Sequence, residues 1–249
     1  MELKDKKVVV TGGSRGIGRE VCIAMARAGA DVALAYNSSA AGAMEVVREI
    51  EAMGRRAYAL KADFSDSVQT TDFINEAAEK LGGLDVLVYS AGVFPQALIT
   101  ETSDDDWYRV MRVNLDGAFF ACRAAVPHMR KNGNGGRIIL FSSQAALAGT
   151  AHGAHYGASK AGLLGLTYCL AKELGPDHIT VNAILPGRID TDMLKYADEE
   201  RRRNWLKSTP LGYFGEPCDT AATAVFLASE GARYITGAKI NINGGLLPG

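Results

Sequence analysis

Short apolar runs and longer amphipathic runs alternate along this chain. Val8, Val9 and Val10 form a β-branched run suited to a strand buried on both faces. Residues 17–29 switch to helical spacing, with Ile17, Val21, Ala24 and Ala28 on one side and Gly29 as the stop. The same reading places strand 32–36, helix 41–53, strand 56–60, helix 68–81 and strand 85–89. A helical stretch over 104–130 follows, in one piece or two, with Pro127 expected to strain or reset its last turns. A glycine-rich turn at 133–136 precedes strand 137–141, helix 154–174, strand 179–184, helix 219–229 and strand 239–242. Strands separated by helices predict one α/β unit: a parallel sheet, joined by right-handed crossovers and flanked by helices on both faces.

Residues 188–215 break the pattern. Their periodicity is weak and charges cluster at 198–203, which reads either as a solvated helix face or as a mobile segment over a substrate. The chain has 249 residues, enough to bury a large core, and no linker-like stretch divides it. A single domain over 1–249 is expected, with a substrate lid near 188–215.

Charged residues make up 22% and the net charge is -1, so electrostatics give no reason to expect nucleic acid or a membrane surface as partner. No uncharged apolar run reaches the roughly eighteen residues of a membrane span. The N-terminal residues run from Lys6 and Lys7 directly into a short strand, without a secretory apolar segment. Cys22, Cys122, Cys169 and Cys218 form no CxxC pair and read as buried free thiols, which points to the reducing cytoplasm. His152 and His155 lack an acidic ligand pattern, so no metal is expected.

Chemistry enters at the first strand-to-helix turn, Thr11-Gly12-Gly13-Ser14-Arg15-Gly16-Ile17-Gly18. Side chains at Gly12, Gly16 or Gly18 would obstruct the turn or hold a nucleotide off the backbone. Exposed amides at a helix N-terminus favour an anionic diphosphate. The TGxxxGxG spacing differs from GxGxxG, and a tight turn without a ligand is the plain alternative. No lysine followed by serine or threonine ends the motif, which disfavours phosphoryl transfer. The second strand runs out through Tyr36, Asn37, Ser38 and Ser39, with no acid to repel a 2′-phosphate. Arg15 could pair with that phosphate while Asn37 and Ser38 donate to it, or Arg15 could be an ordinary exposed arginine. The balance favours NADPH over NADH.

Tyr156 and Lys160 stand one turn apart on the long helix, about 6 Å along its axis. A phenol normally titrates near pH 10. A neighbouring ammonium favours its phenolate form, and Lys160 could also hold ribose hydroxyls. Ser143, just past the fifth strand, could hydrogen-bond a substrate oxygen more strongly as charge develops there. The set suits hydride chemistry at a carbonyl or alcohol, with Tyr156 giving the proton in reduction and taking it in oxidation. A lone Tyr-x-x-x-Lys is otherwise a helix surface pair. His155 falls on another helix face and reads as packing or pocket wall.

Together these motifs resemble the short-chain dehydrogenase/reductase family over essentially the whole chain. The resemblance implies a Rossmann-like doubly wound sandwich with a seven-stranded parallel sheet, NADP(H) as cofactor and a homotetramer. It places Asp63 and Phe64 near the adenine, although Asp63 could equally be a helix cap or turn residue. It gives Asn114 the role of holding a kinked helix and a water linked to Lys160, although Asn114 could instead satisfy backbone groups alone. Ala91 and Gly92 would allow close approach to the cofactor, with Ser90 beside them, and Pro186, Gly187, Ile189 and Thr191 would lie on the nicotinamide side. One departure concerns Tyr89-Ser90-Ala91-Gly92, where the family usually has Asn-Asn-Ala-Gly. Arg188 stands where an apolar residue is common and could meet an acidic substrate or cofactor group or face outward.

Similarity to 3-oxoacyl-acyl-carrier-protein reductases and glucose 1-dehydrogenases makes reduction of a ketone the leading expectation, with an acyl carrier thioester as one candidate. Oxidation of a sugar or other secondary alcohol is the alternative. A nonenzymatic dinucleotide-binding regulator is a further one. The expected substrate walls are 93–98, 144–155 and 188–207, where Phe94, Leu98, Leu147, Met193, Leu194 and Trp205 favour an apolar component.

Overall fold

A computed structural model describes residues 2–195 and 197–247. Its strands are β1 (Lys7–Thr11), β2 (Asp31–Tyr36), β3 (Ala57–Lys61), β4 (Val86–Tyr89), β5 (Gly136–Phe141), β6 (Ile179–Pro186) and β7 (Lys239–Ile242). Among the described residues these form one seven-stranded sheet in the order β3-β2-β1-β4-β5-β6-β7, and each neighbouring pair is parallel. The central strands are buried almost throughout, whereas edge strands β3 and β7 are partly open. That difference explains why the valine run of β1 is continuous rather than alternating: Val9 points into one core and Val8 and Val10 into the other.

One face is covered by α1 (Gly16–Arg27), α2 (Ala40–Ala52) and α9 (Pro217–Ala228), through residues such as Val21, Ile50 and Leu227. The other carries α3 (Ser67–Leu81), α5 (Gly117–Asn132) and α7 (Ala154–Glu173), through Phe73, Met129 and Leu163. Local chemistry sets the helix ends. Asp66 caps α3 by accepting the N–H groups of Val68 at 2.8 Å and Gln69 at 3.1 Å, and Gly82 closes it at φ +76°.

The stretch expected as one or two helices is divided differently. It holds α4 (Asp104–Met111), a π-helical turn over Arg112–Asp116, and α5. Pro127 neither ends nor resets α5, which continues to Asn132. Its ring is on the exposed side while Val126 and Met129 anchor the helix to the core, so packing outweighs one lost backbone bond. Two further short helices are α6 (Ala145–Ala148), which periodicity did not reveal, and α8 (Glu199–Ser208) within the charged segment.

All four cysteines are free, but only Cys22 and Cys122 are buried. Cys169 and Cys218 are exposed, contrary to expectation. Cys169 shares the outward side of α7 with Tyr168, so its apolar neighbourhood in sequence did not mean burial.

Candidate active site

The order of the sheet reverses between β1 and β4, and the carboxyl ends of β1, β4, β5 and β6 meet there. A cleft of about 1050 Å³ opens at this edge, the usual place for a ligand in such a sheet. At the end of β1 the Thr11 Oγ1 accepts the N–H groups of Ser90 and Ala91, each at 3.0 Å, and ties the first strand to the loop after β4.

The glycine-rich turn forms one wall. Gly12 has φ +66°, and a Cβ on Gly18 would lie 2.3 Å from the Gly12 carbonyl oxygen, so α1 starts closer to β1 than any side chain allows. Arg15 at the N-cap contributes no side-chain hydrogen bond to α1. The amides of that first turn therefore attract an anion.

Gly12, Ser14, Arg15, Gly16, Ile17 and Gly18 border the cleft, as do Asn37, Ser38, Asp63 and Phe64. So do Ser90, Ala91, Gly92, Ser143, Tyr156, Lys160, Pro186, Gly187, Ile189 and Thr191. A pocket of this length, with its backbone approachable only because glycines stand there, fits an extended dinucleotide. Tyr36, Ser39, Ser65, Arg109 and Val113 also line it. Tyr36 and Ser39 flank residues that the sequence singled out, whereas Arg109 and Val113 arrive from α4 and the π turn, inside the expected helical stretch, with nothing in their spacing to mark them as facing the cleft.

Ser143 follows β5, and its Oγ accepts the Ala145 N–H at 3.1 Å, which fixes the side chain and leaves its O–H to donate. Tyr156 and Lys160 occupy the first turns of α7, and the helix is tied to β5 by Ser142 Oγ donating to Lys160 O at 2.7 Å. Lys160 Nζ donates to Phe141 O at 2.8 Å and lies 5.7 Å from the centre of the Tyr156 ring. Burial lowers the Lys160 pKa from its ordinary value to about 8. The Phe94 ring stacks on Tyr156, with centroids 4.3 Å apart.

Asn114 stands behind this wall, not on it. Its Oδ1 accepts Val93 N–H at 2.8 Å, and its Nδ2 donates to Val93 O at 3.0 Å and Ser159 Oγ at 3.1 Å. Ser159 Oγ donates in turn to Tyr156 O at 2.8 Å. The side chain thus braces the loop after β4 against α7, beside a helix that is indeed irregular. Asp63 serves its own turn, accepting from Ser65 N at 2.9 Å and Ser65 Oγ at 2.8 Å, and the α3 cap is Asp66 instead. His155 is fully buried, and its Nδ1 accepts the Tyr156 N–H at 2.9 Å, in keeping with a packing role.

Arg188 does not simply face outward. Its Nη1 donates to Trp205 O, to Ser208 Oγ at 2.7 Å and to Thr209 Oγ1 at 3.2 Å, and its guanidinium lies 5.5 Å from the Trp205 ring centre. It joins the beginning of the 188–215 segment to its end. Arg202 adds a second link, at 3.2 Å from Asp190 and over the Phe214 ring at 4.6 Å. The charge run is therefore partly engaged across the segment, not wholly solvated. Of the expected wall residues, Phe94, Met193 and Leu194 border the cleft, whereas Leu98, Leu147 and Trp205 do not.

A family model described as enoyl-(acyl carrier protein) reductase matches residues 12–247. The chain is 43% identical over 246 residues to an L-rhamnose 1-dehydrogenase (NAD(P)(+)) of Sphingomonas sp. (strain SKA58), covering 98% of this chain and 97% of that protein. It is 40% identical over 241 residues to a 3-oxoacyl-[acyl-carrier-protein] reductase of Staphylococcus aureus (strain Mu50), covering 97% and 98% respectively. A short-chain dehydrogenase of Burkholderia cenocepacia J2315, solved in complex with NADP, superposes with a TM-score of 0.94 at 39% identity and 99% coverage of each chain. Sheet order, the glycine turn and matches along nearly the whole length agree, and the chain belongs to the short-chain dehydrogenase/reductase family of oxidoreductases.

Proposed function

We propose that this protein is an NADP(H)-dependent oxidoreductase that reduces a ketone, with Tyr156 as proton donor. The observation that carries the reading is the meeting of Ser143, Tyr156 and Lys160 on a cleft whose far end is the glycine-rich turn. Gly12 to Gly18 would hold the diphosphate, Arg15, Asn37 and Ser38 the 2′-phosphate, and Asp63 and Phe64 the adenine end. Ser90 to Gly92 and Pro186 to Thr191 would border the nicotinamide half. When bound, NADPH supplies the hydride.

The chain's own groups handle the proton and the charge. Ser143 Oγ donates to the carbonyl oxygen and holds it. Tyr156 transfers its phenolic proton to that oxygen, and the Lys160 ammonium offsets the negative charge left on the phenol. Asn114 keeps these parts in place from behind. The 188–215 segment acts as a substrate lid, and its Met193 and Leu194 put an apolar surface against the substrate.

Similarity to the Staphylococcus reductase favours a 3-oxoacyl thioester as the ketone, and similarity to the Sphingomonas enzyme favours a second reading, oxidation of a sugar at its anomeric carbon. Steady-state assays with NADPH and NADH over acyl thioesters, quinones, small ketones and aldoses decide between them. Tyr156→Phe should lower kcat by about 10²–10⁴-fold while cofactor binding persists. Full activity in that variant sinks the assignment, and a preference for NADH sinks the cofactor choice.

A homotetramer is part of the same proposal, supported by the aromatic side chains that α4, α5 and α7 leave exposed at Tyr108, Phe119 and Tyr168. An apparent monomer in light scattering would exclude it. Among the described residues no helix is long and apolar enough to cross a membrane, and a cytoplasmic location is proposed with it.

A further inference from the structure

Tyr89 is, with Ser90, one of the two residues that replace the usual Asn-Asn pair, and the fold gives it an unusual position. It ends β4, paired with Thr11 on one side and Leu140 on the other, and is fully buried. Its hydroxyl donates to Val113 O at 2.6 Å, inside the π turn that interrupts the helix between α4 and α5. Its ring meets Phe64 edge-on at 5.7 Å. The space for the phenol exists because Gly117, directly after the π turn, has no side chain: a Cβ there would lie 2.4 Å from Tyr89 Oη.

The residue after Val113 is Asn114, whose three side-chain bonds reach Val93 and Ser159. Ser159 continues the path to the Tyr156 carbonyl and immediately precedes Lys160. A Cβ on Gly92 would be 3.4 Å from both Asn114 Oδ1 and Lys160 Nζ, so the two groups crowd the same spot. A π turn adds a residue to one helical turn and is held by fewer equivalent contacts than an α-helix. An external donor on one of its carbonyls limits where the next residue can sit. Burial raises the Tyr89 pKa well above its ordinary value, so the donor keeps its proton at working pH.

We infer that Tyr89 is a positioning residue for the reduction: its hydroxyl holds the π turn, and through Asn114 it sets the placement of Tyr156 and Lys160 without touching substrate or cofactor. This rests on the assignment of Tyr156 and Lys160 as the proton-transfer groups. A packing role alone would ask only that the volume be filled, whereas a positioning role needs the donor.

Two variants separate the roles. Tyr89→Phe keeps the ring against Phe64 and removes only the hydroxyl. Tyr89→Leu removes the hydroxyl and the ring together, so packing volume is lost along with the donor. The inference expects kcat for carbonyl reduction to fall about 10- to 100-fold in Tyr89→Phe, with KM for NADPH changed less than about twofold, as for a small displacement of catalytic groups. The alkaline limb of the kcat/KM profile should move as well. Tyr89→Leu should melt lower than Tyr89→Phe while its kcat falls no more than about threefold further, and assays at low temperature carry the same kinetic readout if either variant melts early. Wild-type kcat and pH profile in Tyr89→Phe, or a kcat that drops only in Tyr89→Leu, in step with the lost packing, would overturn the inference. Failure of the underlying reading looks different: Tyr156→Phe would then retain activity, whatever Tyr89 does.

Discussion

In the proposed reaction Lys160 has to carry its charge where water barely reaches. Only 4% of the residue is exposed, and one carbonyl oxygen, that of Phe141, accepts from its ammonium at 2.8 Å. Desolvation favours the neutral amine, which is why its pKa falls to about 8. The sign follows directly: the ammonium fraction is high below pH 8 and declines above it. If that cation supports the phenol, kcat/KM for reduction should drop on the alkaline side with an apparent pKa near 8 in the free protein. Measured pH profiles of the wild type and Lys160→Met test this, because the limb should vanish with the amine. A limb that survives unchanged in the variant belongs to another group. Sequence spacing was enough to bring Tyr156 and Lys160 together, since the helix period guarantees it. It did not reveal that Asn114 would spend its side chain on Val93 and Ser159, because those partners come from a loop and a helix far away in the chain.

Elements with one strong physical cause were readable from the chain. The valine run of β1 and the glycine-bounded helix α3 lie within a residue or two of the expected limits. The π turn at Arg112–Asp116 was not readable, since no residue type prefers it and tertiary bonds such as Tyr89 to Val113 hold it. The four-residue α6 is likewise too short for a period to show. The turn from β1 to α1 is the element on which the proposed cofactor binding depends. Gly18→Ala should disrupt it, because the added methyl would meet the Gly12 carbonyl oxygen at 2.3 Å and backbone cannot give way cheaply. NADPH affinity measured by fluorescence titration should fall by at least about tenfold, equivalent to about 1.4 kcal/mol. Unchanged affinity would mean that the turn relaxes without loss.

At the scale of the whole molecule, two buried cores hold the sheet on both sides, while the 188–215 segment hangs from one end of β6 and contributes little apolar burial. Strand-helix alternation foretold the sheet, but not how the charged segment would be tied. Arg188 does that by reaching across to Trp205, Ser208 and Thr209. Arg188→Met keeps much of the stem and removes the hydrogen bonds. It should raise KM for the carbonyl substrate several-fold, leave NADPH affinity nearly unchanged, and speed proteolytic cutting within 188–215, where local opening becomes easier. Limited proteolysis with mass mapping checks the last point. Cleavage no faster than in the wild type would show that other contacts hold the segment.

The Thr11 hydroxyl has a consequence of its own. One oxygen atom terminates two main-chain amides where the first and fourth strands part, so the crevice has a single point of failure. Thr11→Val matches its shape and would pass unnoticed by packing, yet it strands both donors, each at a cost of about 1–3 kcal/mol if water cannot enter. Calorimetric melting should show a loss out of proportion to so small an edit, whereas a melting temperature equal to the wild type's would mean that solvent has taken the hydroxyl's place.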